Sequence, residues 1–300
     1  MRTEFAQTMV QCASHYPESV FLTGDLGYMA LEKVQEAFQN RFINAGVAEQ
    51  NMISVAAGLA HEGFIPWVYS IAPFVTLRPY EQIRNDVCLH DLPVKLVGNG
   101  GGYGYGIMGG THHVLEDIGA MRILPHMQVY VPFVSSDVAE AVQHMMSDPH
   151  PGYLRLNLGA RIPQTIESFS PWRRVTSGTK AVVIGTGPVV EHVLKLEPSL
   201  VEMLDVWIVS KFPLESLPEL LIEVISKLKN VITIEEHYGQ CGLGETCAAE
   251  ILYSIFLPLR YHSLYATGYP SGSYGSQQWH QAENNLAGEG LQRKIREFLQ

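Results

Sequence analysis

A chain of 300 residues with 46% hydrophobic and 17% charged residues has ample apolar content for a folded core, which excludes global disorder. Its formal net charge of −10, with no basic stripe, argues against a nucleic-acid partner, and no apolar run reaches the roughly 18 residues of a membrane span. The start, Met1-Arg-Thr-Glu-Phe-Ala-Gln, lacks the apolar core of a signal peptide, and Cys12, Cys88, Cys241 and Cys247 form no CxxC pair, so a cytoplasmic protein is expected.

Hydrophobic strands alternate with helical stretches, which predicts an α/β chain of two domains, each a mostly parallel sheet flanked by helices. Val20–Gly27 reads as a short buried strand ending in a polar loop. Glu49 then stands just inside a predicted helix, on the loop after a hydrophobic strand. Asn51–Ala60 is too densely apolar for a surface helix and reads as buried, with Ala and Gly that would allow close approach by another helix. Val94–Gly98 is a strand running into a Gly-rich loop, Gln128–Pro132 is another, and Ser135–Val142 follows as a capped helix. Tyr153–Asn157 is expected to be the last strand of a first domain spanning residues 1–165.

From Gly159 to Gly178 the pattern lapses, and Pro163, Pro171 and the Arg173-Arg174 pair suggest a linker, placed at 166–178. A second block, 179–300, carries strands at Lys180–Gly185, Asp205–Val209 and Asn230–Glu235 and a closing helix near Gly290–Leu299.

Local motifs taken singly are weak. Gly104-Tyr-Gly-Ile-Met-Gly109 satisfies GxGxxG, but a dinucleotide loop should open directly into a helix, and here it meets Thr111-His112-His113. The twelve histidines are scattered, and adjacent His112 and His113 should point apart, so no metal-ligand set is read from the spacing. Glu49 alone is an ordinary first-turn carboxylate favoured by the helix dipole, and Phe74 and Tyr80 alone would be core aromatics.

Together and in order, these segments carry more. Phe21-Leu-Thr-Gly-Asp-Leu26, Gly46-Val-Ala-Glu-Gln-Asn51, Tyr80-Glu-Gln-Ile-Arg84, Thr111-His-His-Val-Leu-Glu-Asp117, Pro125–Pro132 and Glu235–Glu245 resemble the C-terminal half of the transketolase family of thiamine diphosphate enzymes. The resemblance covers nearly the whole chain: a pyrimidine-binding domain followed by the family's C-terminal domain. The Thr-His-x-x-Leu-Glu-Asp run brings it nearer to transketolases than to deoxyxylulose-phosphate synthases or the β subunits of 2-oxo-acid dehydrogenases.

The resemblance implies roles. Glu49 would hydrogen-bond the aminopyrimidine of thiamine diphosphate and share a proton with it. Phe74 would pack on that ring, with Ile71 and Tyr80 as second choices. His112 would face the reacting centre, and His113, Met108 and Arg2 would lie toward the substrate, Arg2 as a phosphate contact. The family's Gly-Asp-Gly motif for the diphosphate and its Mg²⁺ has no match here; Gly24-Asp25-Leu26 departs from it. A separate subunit would then hold the Mg²⁺, in an α₂β₂ assembly, and the reaction would be transfer of a two-carbon unit from a ketose or 2-oxo donor to an aldehyde or ketone.

Two departures bear on substrate: Met108 replaces an Asp four residues before the motif histidine, and Leu158 replaces a phosphate-clamping Arg. Arg155 is expected to point elsewhere, and His113 stands where Gln is usual. The alternatives are the β subunit of a 2-oxo-acid dehydrogenase, disfavoured by Thr111-His112-His113, and a non-catalytic interaction subunit.

Overall fold

The computed structural model describes residues 1–27, 29–162, 166–255 and 258–300. In chain order the strands are β1 (Ser19–Thr23), β2 (Phe42–Asn44), β3 (Ile65–Ile71), β4 (Lys95–Asn99), β5 (Gln128–Tyr130), β6 (Gly152–Leu156), β7 (Trp172–Arg174), β8 (Ala181–Thr186), β9 (Leu204–Val209), β10 (Lys211–Phe212), β11 (Asn230–Glu235) and β12 (Arg260–Leu264). They form a seven-stranded sheet, β10-β5-β6-β4-β3-β1-β2, and a five-stranded sheet, β12-β11-β8-β9-β7. Pairing is parallel except at the β10 and β7 edges. The central strands are apolar runs buried along their full length, as in β1, β8 and β9, because helices cover both faces of a parallel sheet. Each buried Val, Ile or Leu contributes about 1.5–3 kcal/mol against the entropy of ordering the chain.

The helix Glu49–His61 buries Glu49, Met52, Ile53, Ala56, Ala57 and Ala60, a spacing that puts them on one stripe. It is therefore not buried all round. Gln50, Asn51, Ser54, Val55 and Gly58 face outward, and a Cβ added at Gly58 would meet nothing within 4 Å. The apolar density that suggested full burial arises because Val55 and Gly58 lie on the open face.

Other expectations shift as well. Tyr153–Asn157 corresponds to β6, the last strand before residue 165, but its sheet also takes a strand from the second half: β10 adds antiparallel to β5. β7 lies inside the stretch expected as linker, and its arginines explain why it reads as polar. Arg173 is buried and donates to Asp137 at 2.7 and 2.6 Å, while Arg174 Nε reaches Asp205 at 3.0 Å. Charge matching lets a strand carry two adjacent arginines. The helix after β5 is Asp137–Ser147, and Ser136 makes no side-chain cap; Asp137 Oδ2 instead accepts from the Phe133 and Val134 N–H groups. Pro163 and the expected domain end at residue 165 lie outside the described residues.

The two halves are joined through the Gly-rich loop after β4. Buried Glu236 accepts from the Tyr103 N–H at 2.6 Å and from Gln277, and Tyr103 Oη donates to the Gly268 carbonyl at 2.6 Å. Gly102 is required there: its φ is +63°, and a Cβ would collide with the Glu236 carboxylate. Arg155 points inward, to Asp117 at 2.7 Å and the Glu236 carbonyl at 3.1 Å.

Candidate active site at the strand ends

Open α/β sheets bind ligands beyond the C-terminal ends of their strands, and the expected residues gather there after β2, β3 and β4. The turn from β2 delivers Glu49 as the first residue of its helix, 1% exposed. Burial of a carboxylate needs partners. Arg78 Nη1 donates to Oε2 at 2.6 Å and Ser70 Oγ to Oε1 at 3.4 Å, with Ser70 supplied by β3. Gly24, after β1, leaves room beside the acid: a Cβ there would sit 3.6 Å from Oε1.

β3 ends at Ile71 and leads into the short helix Ala72–Thr76, which presents Phe74. The Arg78 guanidinium carbon lies 4.1 Å from the centre of the Phe74 ring, a cation–π stack, while its edge serves Glu49. The His112 ring meets Phe74 edge-on at 5.4 Å and Tyr105 at 5.9 Å, and His112 Nδ1 lies 2.9 Å from Thr111 Oγ1. Glu49, Arg78, Phe74 and His112 therefore form one continuous row. Arg78 went unnoticed in the sequence; the signal was Phe74-x-x-x-Arg78, a one-turn spacing that brings a guanidinium over an aromatic face.

The remaining expected residues spread around this row. Ile71 is half-buried at the strand end, and Tyr80 Oη donates to the Ala120 carbonyl at 2.9 Å, packed against the core. Met108 and Leu158 are exposed, at 55% and 70%. Arg2 and Leu158 line a hollow of about 320 Å³ with Asn99, Tyr105 and Asn157. A larger hollow of about 560 Å³, between the first helix and Met29–Lys33, includes Arg2 but none of Glu49, Phe74 or His112. His113 turns away from His112 and is buried. Its Nδ1 lies 3.0 Å from Tyr269 Oη and its Nε2 2.7 Å from the Gly106 carbonyl, and burial pushes its pKa down to about 4. Both ring nitrogens are thus engaged in holding the loop. Gly104–Gly109 forms a single 3₁₀ turn at Gly106–Met108, with no following helix for a pyrophosphate.

Residues 1–160 match the family model described as transketolase, pyrimidine binding domain, and residues 170–282 match transketolase, C-terminal domain. The chain is 30% identical over 246 residues to a subunit of the apulose-4-phosphate transketolase of Actinobacillus succinogenes, covering 79% of this chain and 77% of that one. It is 30% identical over 271 residues to the 6-deoxy-6-sulfo-D-fructose transketolase subunit SqwH of a Clostridium species, covering 87% and 83%. Among solved structures it is similar to one described as a split gene transketolase, inactive beta4 tetramer, with a TM-score of 0.84, 27% identity and coverage of 99% and 97%.

Proposed function

The chain belongs to the transketolase family, and we propose that it is the second-half subunit of a split transketolase, transferring a two-carbon ketol unit with thiamine diphosphate held between it and a partner chain. Two of its relatives are themselves described as transketolase subunits, and it spans 97% of the split-gene neighbour. The partner would carry the Gly-Asp-Gly motif and most of the Mg²⁺ coordination, in an α₂β₂ assembly. The open face of the Glu49 helix, with Val55 and Gly58, suits contact with another chain.

One observation carries the cofactor reading. Glu49 and Phe74 already grip a flat nitrogen group, accepting from the edge of the Arg78 guanidinium while Phe74 covers its face. An aminopyrimidine offers the same planar shape and the same kind of edge, so the residues present fit it. Such a ring would share or displace this guanidinium. Bound thiamine diphosphate would supply the nucleophilic carbon and the electron sink for carbon–carbon cleavage.

The chain's own side chains do the rest. Glu49, fixed by its helix and by Ser70 and Arg78, would hold a proton at the pyrimidine ring nitrogen. Phe74 would keep the ring in register and exclude water from its face. His112, oriented by Thr111 and half-exposed beside Phe74, would move a proton at the substrate oxygen. Arg2 opens onto the hollow beside Tyr105, where a substrate's distal anion would lie. Exposed Met108 and Leu158 offer no hydrogen bond or charge to the sugar's hydroxyl or phosphate, which favours a donor or acceptor lacking them at those points.

Glu49→Gln keeps shape but cannot share a proton. The variant should assemble with its partner, lose about 10²–10⁴ in turnover and slow C2 hydrogen–deuterium exchange of the bound cofactor in parallel. Unchanged exchange would reduce Glu49 to a helix-end carboxylate.

A further inference from the structure

At the other end of the first sheet, three residues far apart in sequence converge. Asp91 lies in the turn before β4, His126 in the turn before β5 and His150 in the turn before β6. These strands are neighbours in the order β5-β6-β4, and their first residues are in register, Lys95 with Gly152 and Gln128 with Gly152. Their preceding turns are therefore brought side by side. His150 Nδ1 lies 2.8 Å from Asp91 Oδ1, and His126 Nδ1 lies 3.6 Å from Asp91 Oδ2. All three ligand atoms fall within 4.8 Å of one another. The two imidazoles lie nearly parallel, 5.8 Å apart and inclined by 13°.

We propose that Asp91, His126 and His150 form a binding site for a zinc-class divalent ion, separate from the cofactor site. Two imidazole nitrogens and one carboxylate are the donor set that zinc and its neighbours prefer, whereas Mg²⁺ seeks oxygen ligands. With bonds of about 2.0–2.2 Å, tetrahedral ligands stand roughly 3.4 Å apart, and measured to the same oxygen, Asp91 Oδ2, His150 Nδ1 at 3.0 Å and His126 Nδ1 at 3.6 Å bracket that spacing. Water would complete the coordination, since all three side chains are at least one-third exposed.

The turns are held in place from within the chain. Buried Lys95 donates to the Asp148 carbonyl at 2.7 Å and to that of His150, Asp148 Oδ1 accepts from the His150 N–H at 3.0 Å, and Gln128 donates to the His126 carbonyl at 3.2 Å. Two of the three ligands also sit at positive φ, Asp91 at 52° and His126 at 65°. The site lies at the start of β4, whose far end leads into the Gly-rich loop. The 5 residues of β4, at about 3.3 Å each, set it roughly 16 Å from that loop. Its effect is thus to clamp three strand starts, not to enter the reaction.

The test uses the full chain, stripped with chelator and titrated with Zn²⁺ by calorimetry and with Co²⁺ by visible absorption. One ion should bind per chain, raise the unfolding temperature and give the intense bands of a low-coordinate cobalt site, with Mg²⁺ competing poorly. His150→Ala should weaken Zn²⁺ binding by more than about 100-fold, beyond what losing an outer-shell contact costs. His126→Asn and Asp91→Asn provide independent checks, because Asn tolerates the left-handed backbone at both positions; circular dichroism confirms their folding. Equal Zn²⁺ affinity in wild type and His150→Ala, or equal filling by Mg²⁺, would overturn the site and leave a simple His–Asp hydrogen-bonded cluster.

Discussion

The Arg78–Glu49 pair ties the buried acid to the Phe74 ring, and its strength can be measured in the chain alone. The acid is 1% exposed and the base 37%, so the pair lies between two regimes. Breaking a fully buried pair costs about 3–5 kcal/mol, and an exposed pair is worth about 0–1 kcal/mol. Arg78→Met keeps an apolar stem over Phe74 but leaves a buried carboxylate with only the 3.4 Å contact from Ser70. With solvent reaching the guanidinium side, the loss should be about 1–3 kcal/mol. Glu49→Gln removes the charge that needs pairing, so the arginine's removal should cost much less in that background. Urea denaturation of wild type, both single variants and the double variant gives the coupling energy, expected at about 1–2 kcal/mol. A coupling under about 0.5 kcal/mol, or an Arg78→Met chain more stable than wild type, would refute this view of the pair.

Burial holds His113 neutral, its pKa falling from 6.5 to about 4. The unfolded chain therefore binds the extra proton first, and stability should be full above pH 6.5 and drain away toward pH 4, by up to about 3 kcal/mol. His113→Gln, which cannot titrate, should flatten that part of the curve in denaturation midpoints taken from pH 7 to 4.5; an unchanged slope would assign the acid sensitivity elsewhere. Arg173→Met should destabilise the chain by about 3–5 kcal/mol by stranding Asp137, measured as a shifted urea midpoint, because both partners are buried and the bond ties β7 to the first half of the chain. Met108→Asp with Leu158→Arg should raise turnover of pentose phosphates by the assembled enzyme, since each restores a polar contact; a wild-type complex already as fast on those sugars as on any other donor would contradict the substrate reading.

Much of the fold was legible because parallel strands buried on both faces read as unbroken apolar runs: β8, β9 and β11 fall where the sequence places them. The edges were not legible. β7 and β10 are two or three residues long and pair antiparallel across long sequence separations, and β7 lies in a stretch whose composition reads as linker. The helix Glu49–His61 looked wholly buried because apolar residues on an open face are indistinguishable from core residues in one dimension. In the site, the sequence pointed to Glu49, Phe74 and His112, which the fold sets in one row. Arg78 escaped because a lone arginine after a helical turn is ordinary until its ring partner and its acid are seen together. Asp91, His126 and His150 escaped for a different reason: only the register of β4, β5 and β6 brings them together.

The central claim, that this chain supplies the pyrimidine side of a cofactor site completed by a second chain, is tested most directly by calorimetry with thiamine diphosphate and Mg²⁺. The chain alone should bind weakly and turn over nothing, and the same chain assembled with a partner carrying Gly-Asp-Gly should bind tightly, with Glu49→Gln reducing turnover in the assembly. Tight binding or catalysis by the chain without a partner would contradict it.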